Sequence, residues 1–89
     1  MREGSFTIFN ELGFHARAAA QFVKLANNYD CEITVYKDGY SANGKSILGL
    51  LTLAASKGTV LRIIASGKHE EEAINTLGQI INNKFGEQK

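Results

Sequence analysis

Residues 39–46 read GYSANGKS, a full match to the phosphate-loop pattern G-x-x-x-x-G-K-S/T. In nucleotide-hydrolysing domains such a loop joins a buried parallel strand to a long helix. Its backbone N–H groups cradle phosphates, the Lys reaches the β/γ-phosphates and the Ser holds Mg²⁺. The other reading is a hairpin turn, a short strand and a helix cap that spell the same string. The two readings give different folds, and the flanking periodicities choose between them.

Upstream, Cys31 to Tyr36 (CEITVY) alternates cleanly, with Cys31, Ile33 and Val35 on the core side of a strand. Asp38-Gly39 follows, a strong two-residue hairpin signal. Tyr40 to Asn43 then reads as a short returning strand. Ser46 precedes a short helix from Ile47 to about Ser56, closed by Gly58 as a C-cap. On this reading extended chain separates Gly39 from Gly44-Lys45-Ser46, so the three cannot coil into one anion nest. The carboxylate that helps to hold Mg²⁺ is also missing: the Asp residues are Asp30 and Asp38, and neither ends an apolar strand downstream. A parallel sheet needs crossovers of a dozen or more residues, which 89 residues barely accommodate. GYSANGKS is therefore read as turn, strand and cap, and nucleotide hydrolysis is kept only as a third alternative.

Working outward, Ser5 to Phe9 reads as a strand with Phe6 and Ile8 on one face, and Asn10 to Phe14 as a loop. A helix is predicted from Ala16 to about Asn27, with Ala19, Phe22, Val23 and Ala26 at helical spacing. Thr59 to Ser66 is a further strand, with Leu61, Ile63 and Ala65 on one face. Glu70, Glu71 and Glu72 place negative charge where the dipole of a last helix favours it, and Ile74, Leu77, Ile81 and Phe85 form its core stripe. The order β-α-β-β-α-β-α predicts an α+β domain spanning residues 1–89, an antiparallel sheet with helices on one face.

The composition agrees: 44% hydrophobic and 21% charged residues are those of an ordinary globular domain. A net charge of +1, from ten Lys/Arg spread along the chain, gives no basic patch for nucleic acid. The single Cys31 forbids an intrachain disulfide, reads as a buried small hydrophobe and suits a reducing cytoplasm. MREGSFTIFNELG lacks the apolar run of a signal peptide, and no stretch is long and apolar enough to span a membrane. A monomer without cofactor is expected.

Chemistry is expected at Gly13-Phe14-His15-Ala16-Arg17. His15 falls just before the first helix, where free backbone N–H groups and the helix dipole make an anion site. Arg17 adds planar donors suited to phosphate. A neutral imidazole is a good nucleophile near pH 7, because its ordinary pKa is about 6.5. Taken alone, a His at a helix start is as readily a solvated residue. A metal site is not expected, because His69 is the only other His and no partner has ligand spacing. In the second helix, at about 100° per residue, Leu50, Leu53 and Ala54 share one side, while Ile47, Leu48 and Leu51 share another. One stripe can face the sheet, and the second is read as an exposed docking patch.

GFHARAAA, followed later by NGKSILGLLTLAASKG, resembles the HPr family of phosphocarrier proteins of the bacterial phosphoenolpyruvate-dependent sugar phosphotransferase system. The likeness runs from Phe6 to about Phe85. It implies an open-faced β-sandwich of four antiparallel strands with three helices on one side, and a carrier rather than an enzyme. It also implies that His15 accepts a phosphoryl group on Nδ1 from phosphorylated enzyme I and passes it to an enzyme IIA domain, with Arg17 neutralising the phosphate. Ile47, Leu48 and Leu51 match the family's docking patch. Ser46 matches its regulatory site, phosphorylated in some bacteria by an ATP-dependent HPr kinase, and a transcriptional regulator is a further partner of the family. A regulatory binding module of the same fold and a carrier of the nitrogen-related branch are the alternatives. One departure is Ala18, where many members have Pro directly after the Arg.

Overall fold

A computed structural model describes every residue from Met1 to Lys89. Strand β1 (Arg2–Thr7) leads into helix α1 (Ala16–Ala26). A hairpin of β2 (Cys31–Lys37) and β3 (Tyr40–Asn43) follows, then α2 (Ile47–Thr52), β4 (Val60–Gly67) and α3 (Glu70–Asn82), and a 3₁₀ turn at Lys84–Gly86. The strands form one antiparallel sheet in the order β1-β4-β2-β3. This is an open-faced sandwich, with the three helices covering one face of the sheet.

The strands put their apolar residues on that face by simple alternation. One row across the sheet reads Gly4, Ile63, Val35, Ala42, and the neighbouring rows pair Phe6 with Leu61 and Ala65 with Ile33. Leu61, Ile63, Ala65 and Val35 are fully buried there. The opposite face is polar and open, with the Arg62 guanidinium 4.7 Å from the centre of the Tyr36 ring and 3.6 Å from the Glu3 carboxylate. From the helices, Ala18, Ala19, Phe22, Val23 and Ala26 of α1 and Ala73, Ile74, Leu77 and Ile81 of α3 close a core of 22 buried residues. Gly78 sits in the middle of α3, where Gly costs about 1 kcal/mol relative to Ala. The Phe6 ring explains it, because a Cβ at position 78 would collide with that ring.

The expected hairpin forms. Asp38 and Gly39 both have positive φ (49° and 85°), as a two-residue turn with right-handed strand twist requires. The Ser46 cap forms too: its Oγ accepts the Gly49 N–H at 3.0 Å. The three N–H groups that would cradle phosphate in a nucleotide loop are already committed. Gly44 N–H donates to the Ile33 carbonyl, Lys45 N–H to Asn43 Oδ1 and Ser46 N–H to the Asn43 carbonyl. Lys45 Nζ donates to the Tyr29 carbonyl at 2.7 Å.

Three expectations need correcting. The first strand starts at Arg2 and ends at Thr7, not Ser5 to Phe9. Pairing with β4 holds Arg2–Gly4 although they show no alternation, and Ile8 leaves the sheet to bond the turn at Gly58 and Thr59. Helix α2 stops at Thr52 rather than near Ser56, and Gly58 does not cap it. Leu53 is its C-cap and Ala54 turns left-handed (φ 51°). The turn frees the Ala55 carbonyl, which accepts the Phe14 N–H at 2.8 Å. Ala54 is accordingly exposed and does not join Leu50 and Leu53 in the core. Phe85 is buried as expected but lies outside α3, in the 3₁₀ turn.

Candidate functional site

The site grows from the loop between β1 and α1. Gly13 has φ +67°, and a Cβ there would fall 2.5 Å from the Ala55 carbonyl oxygen, so the position demands glycine. Its conformation turns Phe14 inward. The Phe14 ring packs edge-on to Phe22 and stacks on Phe85, with centroids 5.5 Å apart in both pairs. With Phe14 fixed, His15 is the N-cap of α1: its backbone is extended (φ −83°, ψ −179°) and its carbonyl accepts the Ala19 N–H at 2.8 Å. Its side chain does not cap the helix. The ring is free for other work, and no side chain occupies the N–H groups of the first turn.

The imidazole is 24% exposed, and its Nε2 lies against Glu87 Oε2. An ionised carboxylate only accepts hydrogen bonds, so Nε2 must carry the proton. In the neutral ring the lone pair then sits on Nδ1. Glu87 is held from its other side by Asn10, whose Nδ2 donates to Glu87 Oε1 at 3.0 Å and to the Gly13 carbonyl at 2.8 Å. Burial pushes the Glu87 carboxyl up. The hydrogen bonds from His15 and Asn10, with the charges of His15 and Arg17, outweigh it and hold the group below the usual carboxylate range. Arg17 makes no ion pair of its own, which leaves its fork open to an anion. Together with Glu11, Leu12 and Glu87, Arg17 lines a cleft of ≈ 520 Å³.

Sequence reasoning located His15 and Arg17 but missed Asn10 and Glu87. Glu87 is 72 residues from His15 in the chain. It arrives because the chain reverses through three consecutive left-handed residues, Lys84, Phe85 and Gly86 (φ 57°, 54° and 79°). For Lys84 and Phe85 this conformation costs about 1–2 kcal/mol each, offset by burying the Phe85 ring against Phe14. The run Phe-Gly-Glu carries no periodic signal. The usable hint was Asn10, a polar residue in a loop that proved fully buried.

Away from His15, Ile47 and Leu48 are 41% and 77% exposed, while Leu51 is partly buried against the core. The expected second stripe of α2 is thus open at two of its three positions. Ser46 lies at the edge of these residues, as the N-cap of the same helix. Cys31 is buried, and burial raises its thiol pKa, consistent with an inert packing residue. No helix is long and apolar enough to cross a membrane.

The fold and the site together define a small open-faced sandwich that presents an oriented imidazole beside a helix N-terminus and an unpaired arginine. The chain belongs to the HPr family, the phosphocarriers of the phosphotransferase system, which are carriers rather than enzymes. The family model for the PTS HPr component phosphorylation site matches residues 2–83. The phosphocarrier protein HPr of Pseudomonas aeruginosa is 49% identical over 82 residues, covering 91% of each chain. Among solved structures, HPr of Thermoanaerobacter tengcongensis superposes with a TM-score of 0.95 at 44% identity, covering 100% of each chain. A dimer form of HPr from the same organism matches with a TM-score of 0.78 at 45% identity, over 98% of this chain and 100% of that one.

The lowered pKa of Glu87 fixes the sign of a pH effect. A carboxyl whose pKa is depressed on folding stabilises the fold above its unfolded pKa, about 4.3 for Glu. That stability is lost as pH falls through the folded value. Wild type should therefore melt at a higher temperature than Glu87→Gln at pH 7, and the gap should close below about pH 4. A gap that widens on acidification would contradict the assigned contacts.

Proposed function

We propose that this chain carries a phosphoryl group on Nδ1 of His15, taken from phosphorylated enzyme I and passed to an enzyme IIA domain for sugar uptake. The observation that carries the reading is the His15–Glu87 contact, which puts the proton on Nε2 and the lone pair on Nδ1. In the transfer, the Nδ1 lone pair forms a bond to phosphorus. The donor's bond to phosphorus breaks and its electron pair stays on the donor. The uncapped N–H groups at the start of α1 and the unpaired guanidinium of Arg17 supply positive potential for the three phosphoryl oxygens. Residues 1–89 act in this scheme as one carrier domain, in the cytoplasm and as a monomer.

Ile47, Leu48 and Leu51 are the docking patch for these partners, with Leu48 as its most exposed member. Ser46 is the regulatory site, open to an HPr kinase. A phosphate on Ser46 would sit at the N-terminus of α2, where the dipole favours it, so the helix keeps its shape. It would add a charge of about −1.5 to −2 beside Ile47 and Leu48. Regulation then works by electrostatic exclusion of partners, including any transcriptional regulator that docks on the same face.

Incubation with enzyme I, Mg²⁺ and phosphoenolpyruvate should place one acid-labile phosphate on the protein, lost in His15→Ala and kept in Ser46→Ala. Wild type that stays unlabelled where another HPr is labelled would refute the carrier role. For the patch, Leu48→Glu should fold normally and bind enzyme I roughly tenfold or more weakly. Unchanged affinity would remove Leu48 from the interface.

A further inference from the structure

We propose that Asn10 and Glu87 are positioning residues for the phosphoryl-accepting ring. They lock His15 in its Nε2–H tautomer and oppose the positive charge the ring acquires on phosphorylation. The inference rests on the carrier reading and deepens it, by assigning work to two residues outside the motif that carries His15 and Arg17.

The contacts form a relay with a fixed direction. Asn10 is fully buried, and its Nδ2 donates to both the Gly13 carbonyl and Glu87 Oε1. Its Oδ1 has no hydrogen-bond partner. A flipped amide would turn that oxygen toward two acceptors, the Gly13 carbonyl and the carboxylate, so the network itself sets the orientation. Glu87 is thus met by a donor at each oxygen, Asn10 at Oε1 and His15 at Oε2. Only a carboxylate satisfies both, because an amide would present N–H to one of the two donors. The segment is pinned on either side of Glu87. The Phe85 ring is stacked on Phe14, and the Glu11 N–H donates to the Lys89 carbonyl at 3.0 Å. Backbone held in a sparsely populated conformation at Lys84 and Phe85 fits a segment shaped to deliver one side chain.

The chemistry gives the relay a use at both ends of the transfer. When Nδ1 bonds to phosphorus and Nε2 keeps its proton, the ring becomes an N-phosphorylated imidazolium, and the Glu87 carboxylate faces its charge. When an acceptor takes the phosphoryl group, the N–P electron pair returns to the ring, which leaves as neutral imidazole with Nε2–H intact. No proton needs to move in either step. A ring that had lost the Nε2 proton to water would have to leave as an anion, which is a poorer leaving group. Carboxylates that orient the far nitrogen of a working histidine do the same in hydrolases and metal sites.

The test begins with ¹⁵N shifts of the His15 ring in the unphosphorylated protein near neutral pH. Wild type should show the Nε2–H tautomer, and Glu87→Gln a mixture of both. The rate of phosphoryl transfer from phosphorylated enzyme I should fall roughly tenfold in Glu87→Gln, with enzyme I affinity unchanged. Asn10→Ala should act in the same direction, and the double variant should lose less than the product of the two single effects. Should the buried Asn10→Ala fail to fold, Glu87→Gln alone decides. A Glu87→Gln protein that keeps the Nε2–H tautomer and the wild-type rate overturns the proposal, even with His15 labelled normally. If enzyme I does not label wild type, the carrier reading falls, and the tautomer still reports whether Glu87 positions the ring.

Discussion

The site depends on how Phe14 is anchored. Its N–H reaches the Ala55 carbonyl, and its ring lies between Phe22 of α1 and Phe85 of the 3₁₀ turn. Each contact has a consequence elsewhere. The bond to Ala55 needs that carbonyl free, so α2 ends at Thr52 and Ala54 turns left-handed. The contact with Phe22 ties the loop to the buried face of α1, which leaves His15 as the N-cap. The stack on Phe85 draws the segment after α3 across the loop and sets Glu87 against the imidazole. A residue only 4% exposed thereby positions both partners of the His15–Glu87 contact.

Two helix N-termini in this chain are treated differently. At α2, Ser46 does what an N-cap residue usually does and accepts the Gly49 N–H through its side chain. At α1, His15 holds the cap position in backbone terms alone, and its ring is turned to Glu87 instead. The first helix start leaves its N–H groups without a side-chain cap, and the second satisfies part of its own demand. On the proposed reading the first holds the phosphate in transit and the second holds the phosphate of control. Both lie close in sequence to exposed apolar residues, Leu12 before His15 and Ile47 and Leu48 after Ser46.

Local signals made most of the fold legible. The alternation of Cys31 to Tyr36, the Asp38-Gly39 turn and the Ser46 cap each rest on neighbours a few residues apart, and each formed. Together they were enough to dissolve the apparent nucleotide loop at GYSANGKS, whose N–H groups the structure shows already bonded within the hairpin and cap. The end of α2 was misjudged because it is set by the Ala55 carbonyl, which Phe14 claims from a segment distant in the sequence. Phe85 fitted the stripe of α3 by spacing, yet the chain leaves the helix at Asn82 and turns left-handed before placing that ring. His15 and Arg17 were visible in the sequence as residue types beside a helix start. Asn10 and Glu87 were not, because their meeting depends on contacts 77 residues apart and on backbone conformations that Lys84 and Phe85 rarely adopt.

The central claim is that Nδ1 of His15 is the atom that bears phosphorus. The direct measurement is ¹⁵N–³¹P coupling in ring-labelled protein after phosphorylation by enzyme I and phosphoenolpyruvate. Coupling to Nδ1 of His15, with Nε2 still protonated, is the result predicted here. Coupling to Nε2 of His15, or phosphate on His69, would contradict it.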